Sequence, residues 1–244
     1  GKAAGTRLAI VFGQPAHVEL GNPEAELERA AFKVEATYTT PRHNHNAIEP
    51  HAVTLFWRDG ELYMHDAVQA VSHVAWSVGQ ALGLNEEQVH VTSPYVGGGF
   101  GAKCLWSHQI LAAAAARLVN RPVRMTLSRE GVYRLVGGRA ETEQHVALGA
   151  DADGKLQALS QTGTVVMSRH NALPEPFILS AQSSYATKSM LLDIQVADLD
   201  MLANTFMRAP GEAVGSFALE CAMDELAEAI GIDPVELRIR NEPD

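Results

Sequence analysis

The sequence predicts an α+β fold with mixed sheets, helices packed on one side of them, and two related subdomains. Three observations carry this. Two hairpin signals, Asp59-Gly60 and Ala152-Asp153-Gly154, each separate two strand-like runs. Helical periodicity falls between and after strands rather than in strict alternation with them. The resulting order is hairpin, helix, strand, helix, strand, then hairpin, strands, helix. Opening hairpins suit a mixed sheet better than a parallel one.

Each element has a local reason. Residues 1 to about 33 are loosely patterned and broken by Pro15 and Pro23, so they read as an extended lead-in from a preceding domain. Val34–Thr40 reads as a strand ended by Pro41. Ala52–Arg58 and Glu61–Ala67 flank the first hairpin turn. Gln69–Leu82 places Val71, Val74, Ala75, Val78, Ala81 and Leu82 at helical spacing, with Gly83 as its stop. Gln88–Val96 reads as a strand, Trp106–Val119 as an Ala-rich helix, and Val123–Ser128 as a strand after Arg121-Pro122. Thr142–Gly149 and Lys155–Val166 form the second hairpin. Ser168–Ser184, with Pro174 and Pro176, reads as a loop, and Met190–Ala203 as one or two strands. Gly211–Gly231 is a helix with Phe217, Leu219, Cys221, Ala222, Leu226 and Ile230 on or near one face. Asp233 at the N-cap and Pro234 behind it open a last short helix. The division this implies is a lead-in over 1–42, one subdomain over 43–136 and a second over 137–244.

The 244 residues are 46% hydrophobic and 20% charged, enough to bury a sizeable core. A net charge of −10 argues against a nucleic-acid partner and against an anionic membrane surface. The longest apolar run, Ile110–Ala116, is far too short to span a bilayer, and the opening residues lack the apolar stretch of a signal peptide. Cys104 and Cys221 show neither a disulfide framework nor zinc spacing and read as free thiols. The abrupt ends suggest a piece of a longer polypeptide.

Tyr95-Val-Gly-Gly-Gly-Phe-Gly-Ala-Lys103 is the most informative stretch. Gly97, Gly98, Gly99 and Gly101 accept a large entropic cost, which a chain tolerates where backbone must approach something closely. Such a loop between strand and helix can aim N–H groups at an anion, or can simply be a tight turn. A Walker loop would need Gly-Lys-Ser/Thr where Ala102-Lys103-Cys104 stands. A dinucleotide fingerprint fits better, through Gly97, Gly99 and Ala102, with Glu130 as ribose acceptor; against it, the loop does not follow the first strand.

Other candidates are weaker alone. His43, His45, Glu49 and His51 are zinc-type ligands on one short segment, or a polar loop bonded to backbone. Arg208 before Ala209-Pro210-Gly211 can hold an anion bidentately, or bond helix-entry carbonyls. Glu212 complements the helix dipole. Gln69 places an amide at a helix start. Glu220 and Asp224 are one turn apart and read as a solvated helix face.

In order, His45-Asn-Ala-Ile-Glu49-Pro-His51, Ala67-Val-Gln69, Gly97-Gly-Gly-Phe100-Gly101-Ala-Lys103, Met207-Arg208-Ala-Pro-Gly211-Glu212 and Gly231-Ile-Asp-Pro-Val-Glu-Leu-Arg238-Ile-Arg-Asn241 resemble the molybdenum-cofactor-binding subunit of the xanthine dehydrogenase and aldehyde oxidase family. The resemblance spans residues 43 to 241 and is closest to bacterial aldehyde oxidoreductases of the periplasmic three-subunit type. It implies that Gly98, Gly99, Phe100 and Gly101 lie against the molybdopterin and an oxygen ligand of the metal. It implies that Gln69 hydrogen-bonds a molybdenum oxygen. It places Arg208, with Ala209 and Gly211, at the cofactor and substrate pocket. Molybdenum is held through the pterin, free or in its cytosine dinucleotide form, not by side chains.

The family hydroxylates aldehydes or N-heterocycles with water-derived oxygen. Electrons leave through iron–sulfur clusters to FAD in partner subunits. Its catalytic glutamate belongs to a later, C-terminal molybdopterin-binding domain; neither Glu212 nor Glu220 stands where the family places it. The resemblance therefore implies a first cofactor-binding domain, inactive alone. Cys104, and Ser180-Ala181-Gln182 in the middle segment, lack the charged pocket residues of purine-type members and favour an aldehyde. The compartment expected is cytoplasm, or periplasm by export with a partner. The competing readings are a dinucleotide-binding oxidoreductase and a non-catalytic assembly module.

Overall fold

The computed structural model describes residues 5–104, 107–170 and 173–243. Among them the strands, in chain order, are β1 (Thr6–Arg7), β2 (Ile10–Val11), β3 (Gln14–Pro15), β4 (His17–Leu20), β5 (Phe32–Thr40), β6 (Ala52–Arg58), β7 (Glu61–Asp66), β8 (Val89–Thr92), β9 (Val123–Thr126), β10 (Thr142–Ala150), β11 (Leu156–Ser168) and β12 (Ser189–Leu199). The α-helices are α1 (Pro23–Arg29), α2 (Val71–Leu82), α3 (Ser107–Val119), α4 (Arg129–Leu135), α5 (Leu179–Ser184), α6 (Glu212–Ile230) and α7 (Pro234–Arg240). No described helix is long and apolar enough to cross a membrane.

The chain forms two compact units. One gathers the residues up to His43, Ala140–Asn204 and those from Arg208 onward; the other gathers Asn44–Arg139 and Thr205–Met207. The described residues up to His43 thus group with the second half of the chain.

The Asn44–Arg139 unit is built on a sheet of order β8-β7-β6-β9. β6 and β7 are antiparallel across Asp59-Gly60, whose φ values of 51° and 85° match the positive pair that a tight hairpin requires. β8 runs parallel to β7, and β9 antiparallel to β6. One sheet face carries Val53, Leu55, Leu62 and Met64 against Val74 and Val78 of α2 and Ala112, Ala113 and Ala116 of α3. The alanines let α3 lie close enough for the Trp57 indole N–H to donate to the Ala113 carbonyl at 2.9 Å. β8 stops at Thr92, short of the expected Val96, because Pro94 has no N–H to continue the ladder. The start expected for α3, Trp106, lies outside the described residues. α4 was not expected; Ser128 caps it by accepting the Gly131 N–H at 3.0 Å.

The other unit carries the sheet β1-β12-β11-β10-β5, with β4 also on β12. Its pairing repeats the first plan: β10 and β11 form a hairpin, β12 runs parallel to β11, and β5 antiparallel to β10. Met190–Ala203 is one strand ending at Leu199. α6 packs on one face, burying Leu219, Met223 and Leu226. Truncating such a leucine to alanine costs about 2–5 kcal/mol. The unexpected α1 lies on the opposite face, where a Cβ at Gly149 would meet Ala30 at 2.9 Å and Leu27 at 3.3 Å. Asn22 caps α1 through Ala25 N–H, with Pro23 in its first turn. α5 occupies part of the stretch expected as a loop.

Candidate functional site

In the Asn44–Arg139 unit, Gly97–Lys103 connects β8 toward α3 as a loop held at both ends. Glu49 Oε2 accepts the Gly97 N–H at 2.7 Å and the Lys103 ammonium at 2.5 Å. The Glu49 N–H donates back to the Gly97 carbonyl at 3.1 Å. Gln69 Oε1 accepts the Gly101 N–H at 2.9 Å and the Lys103 N–H at 3.2 Å, while its own N–H donates to the Lys103 carbonyl at 2.7 Å. Ala102 N–H closes a turn onto Gly99 at 2.9 Å. His51 Nε2–H donates to the Ala102 carbonyl at 2.9 Å.

The three central N–H groups, of Gly98, Gly99 and Phe100, have no hydrogen-bond partner among the described residues. They are successive donors in a loop whose φ values turn positive at Gly98 (92°), Phe100 (56°) and Gly101 (104°). This is the geometry of an anion-binding nest. Gln69 stands beside it with its carbonyl saturated by two donors and its amide nitrogen without a partner among the described residues. The loop depends on glycine. A Cβ at Gly99 would strike the Gln69 side chain, and one at Gly101 would strike the Phe206 carbonyl.

Behind the loop lies a polar cluster that the sequence did not reveal. Lys103 is wholly buried, as are Gln109 and His108. Gln109 donates to Asp66 at 2.5 Å. Burial lifts the Asp66 carboxyl to about 6 despite that bond. Burial also lowers the His51 and His108 imidazoles, His108 to about 4. Lys103 and the Gly97 N–H hold Glu49 below the usual carboxylate range, the lysine contributing most. The segment 44–51 is fixed in turn by α4: Arg129 donates to the Ile48 carbonyl at 2.8 Å and Tyr133 to Asn46 at 2.6 Å. His45 bonds the Phe206 carbonyl at 2.5 Å.

Two sequence readings are corrected here. The dinucleotide reading needs glycine N–H groups at a helix start, yet Gly97 is taken by Glu49, and α3 opens only at Ser107. Glu130 is not a strand-end acceptor: it lies in the first turn of α4, paired with Arg134 at 2.7 Å. The zinc-type residues are also dispersed: His45, Glu49 and His51 each bond a different protein group.

Arg208, Ala209 and Gly211 belong to the other unit. Arg208 is exposed at the head of a turn in which Ala209 (56°) and Gly211 (84°) have positive φ. Glu175, which sequence reasoning missed, accepts the Gly211 N–H at 2.7 Å. Gln144 and Gln161 donate to the Val214 and Gly215 carbonyls at 3.0 and 3.1 Å, stitching the start of α6 to the sheet. Glu220 and Asp224 are not a free solvated face. Both bind Arg238 of α7, at 2.6 and 2.8 Å, and Glu220 also accepts the Tyr185 hydroxyl at 2.7 Å.

Residues 8–242 match the molybdopterin cofactor-binding domain family. The chain belongs to that family. It is 40% identical over 227 residues to the aldehyde oxidoreductase molybdenum-binding subunit PaoC of Escherichia coli K12, covering 91% of this chain and 30% of that protein. It is 29% identical over 234 residues to the nicotinate dehydrogenase large molybdopterin subunit of Eubacterium barkeri, covering 93% and 55%. Among solved structures, the aldehyde oxidoreductase of Desulfovibrio gigas superposes with a TM-score of 0.84 at 25% identity, over 96% of this chain and 27% of that one. Quinoline 2-oxidoreductase of Pseudomonas putida 86 shares the fold, with a TM-score of 0.83 at 20% identity, over 98% and 34%. The chain thus spans about 30% of the length of PaoC. The residues present fit an oxygen-rich anionic group: N–H donors at Gly98–Phe100 with no partner among the described residues, an amide donor on Gln69, and a loop path that a Cβ at Gly99 or Gly101 would disrupt by striking Gln69 or Phe206.

Proposed function

We propose that this domain holds the oxygen ligands of a molybdenum cofactor at Gly98–Phe100 and Gln69, as part of a molybdenum hydroxylase that oxidises aldehydes with water-derived oxygen. The observation that carries the reading is the set of three adjacent N–H groups without a partner among the described residues, beside an amide whose carbonyl is already committed. Such preorganised donors stabilise oxyanions without reorganising during reaction. The bound cofactor, free or in its cytosine dinucleotide form, would supply the two-electron oxidation. This chain's residues orient it: Gln69 donates one hydrogen bond, the loop donates others, and exposed Phe100 lines the approach. By its resemblance to the family, exposed Arg208 is read as a further anion-holding group.

The general base, the rest of the pterin site, and the iron–sulfur and FAD partners that accept electrons lie in other parts of the enzyme. The isolated domain is inactive on this reading. The aldehyde assignment draws on PaoC, and the compartment on the same reading is cytoplasm, or periplasm by co-export with a partner subunit.

The test is to express the full reading frame with its neighbouring subunits in a cofactor-competent host. Molybdenum content and benzaldehyde-dependent dye reduction are then measured, with xanthine as the second substrate. Bound molybdenum and benzaldehyde turnover, both lost in Gln69→Ala, are expected. Absence of molybdenum would overturn the proposal, and turnover of xanthine but not benzaldehyde would overturn its substrate.

A further inference from the structure

Glu49 and Lys103 pair across the two ends of the glycine loop, and the two are unequal. The Lys103 side chain is 0% exposed, while that of Glu49 is 42% exposed. A buried ammonium without a counter-charge is strongly unfavourable. Among the described residues Glu49 is its hydrogen-bond partner. Asp66 lies close enough for its charge to be felt, but its hydrogen bonds go to Gln109 and to the Ala67 N–H, not to the ammonium. The same Glu49 oxygen that neutralises Lys103 also takes the Gly97 N–H, so one carboxylate ties the first residue of the loop to its last.

We infer that Glu49 and Lys103 form a clasp that sets the span of the Gly97–Lys103 loop, making them positioning residues for the cofactor-facing donors at Gly98–Phe100. The inference deepens the proposed function and rests on it only for what the loop holds. With its end N–H groups used by Glu49 and Gln69, the closed loop keeps its middle N–H groups available to a ligand. With the clasp open, Gly97 and its neighbours sample the wide φ range that glycine allows.

The unequal burial makes the clasp testable by a pattern rather than by one variant. Glu49→Gln still has an oxygen to accept the Gly97 N–H but strands a buried ammonium. Lys103→Met removes that ammonium and leaves a carboxylate that water can reach. The double variant removes both charges and restores a neutral, packed connection. Burial therefore predicts that Glu49→Gln is the most damaging and that adding Lys103→Met to it is a rescue.

The three variants and the wild type are made in the full-length protein with its partner subunits. Two quantities are read: molybdenum per protein, and amide hydrogen exchange of Gly97–Lys103 against that of β6 and β7. Expected for Glu49→Gln is at least a tenfold loss of molybdenum and a tenfold faster exchange of the Gly97 amide. Exchange in β6 and β7 stays unchanged, and the double variant recovers most of both losses. Wild-type exchange of Gly97 in Glu49→Gln overturns the clasp. So does equal acceleration in β6 and β7, which marks general destabilisation, or a double variant worse than Glu49→Gln. If wild-type protein carries no molybdenum, the functional reading fails, while the exchange pattern still decides the clasp.

Discussion

Gln69 Oε1 accepts the Gly101 N–H at 2.9 Å, so the amide's orientation is decided by the loop it faces. With the Lys103 N–H on the same oxygen, the carbonyl end is fixed and the NH2 end is left to donate. Gln69→Glu separates these two functions. A carboxylate keeps both acceptances and loses the donor. In the full-length protein, Gly101 exchange is expected to stay as in wild type while aldehyde turnover falls on the order of 10²-fold, the size seen when one oxyanion donor is removed. Wild-type turnover in Gln69→Glu would remove Gln69 from the oxygen-holding role.

Gly101 and Gly60 both have positive φ, at 104° and 85°, but differ in surroundings. A Cβ at Gly60 meets nothing within 4 Å, whereas one at Gly101 strikes the Phe206 carbonyl. Gly60→Ala is expected to cost only the backbone strain, about 1–2 kcal/mol in urea unfolding, with molybdenum content unchanged. Gly101→Ala is expected to displace the loop and reduce molybdenum at least tenfold. Equal molybdenum contents in the two variants would contradict the close approach at Gly101.

The buried imidazole of His108 gives the protein a defined acid weakness. Burial, with a smaller push from His51, takes it from 6.5 to about 4. Above pH 6.5 it is neutral folded or unfolded, and its contribution to stability is complete. As the pH falls from 6.5 toward 4, the unfolded chain binds a proton that the folded chain refuses, and stability is lost. Asp66 acts with the opposite sign: lifted by burial from 3.8 to about 6, it gains a proton first in the folded chain between those values. His108→Leu removes the first effect alone. Lowering the pH from 8 to 5 is expected to cost the variant about 2 kcal/mol less than wild type in urea unfolding. An identical pH dependence would contradict the burial of a neutral imidazole.

Charge pairs in this protein differ in worth with their exposure. Arg238, 26% exposed, joins Glu220 and Asp224 and so ties α7 to α6. Among the described residues Arg134 pairs with Glu130 alone, at 76% and 71% exposure. Arg238→Ala is expected to destabilise by about 1–2 kcal/mol and Arg134→Ala by about 0.3 kcal/mol in the same unfolding measurement. Equal effects would mean that the α6–α7 pairs are as solvated as a surface pair.

Local chemistry is what the sequence states most plainly. Asp59-Gly60 announces its hairpin because only a positive-φ pair closes that turn, and Gly83 and Gly231 end α2 and α6 in left-handed caps. α1 and α4 carry short cap signals, weaker than a periodic run: Asn22-Pro23-Glu24 and Ser128-Arg129-Glu130 each place a capping side chain before an acidic first turn. Pairings distant in sequence left no such mark. The parallel register of β11 and β12 depends on a crossover, and the Glu49 contact to Gly97 joins residues 48 apart. The glycine loop was legible as an anion cradle, but which of its N–H groups stay open was not. That depends on Glu49 and Gln69 arriving from other segments.

Amide hydrogen exchange at Gly98, Gly99 and Phe100, in full-length protein with and without molybdenum cofactor, tests the central claim most directly. Without cofactor these three amides should exchange fast while Gly97 and Gly101 are protected, and loading should protect all three by tenfold or more. Unchanged exchange at Gly98–Phe100 on loading would show that the loop does not hold the cofactor through these donors.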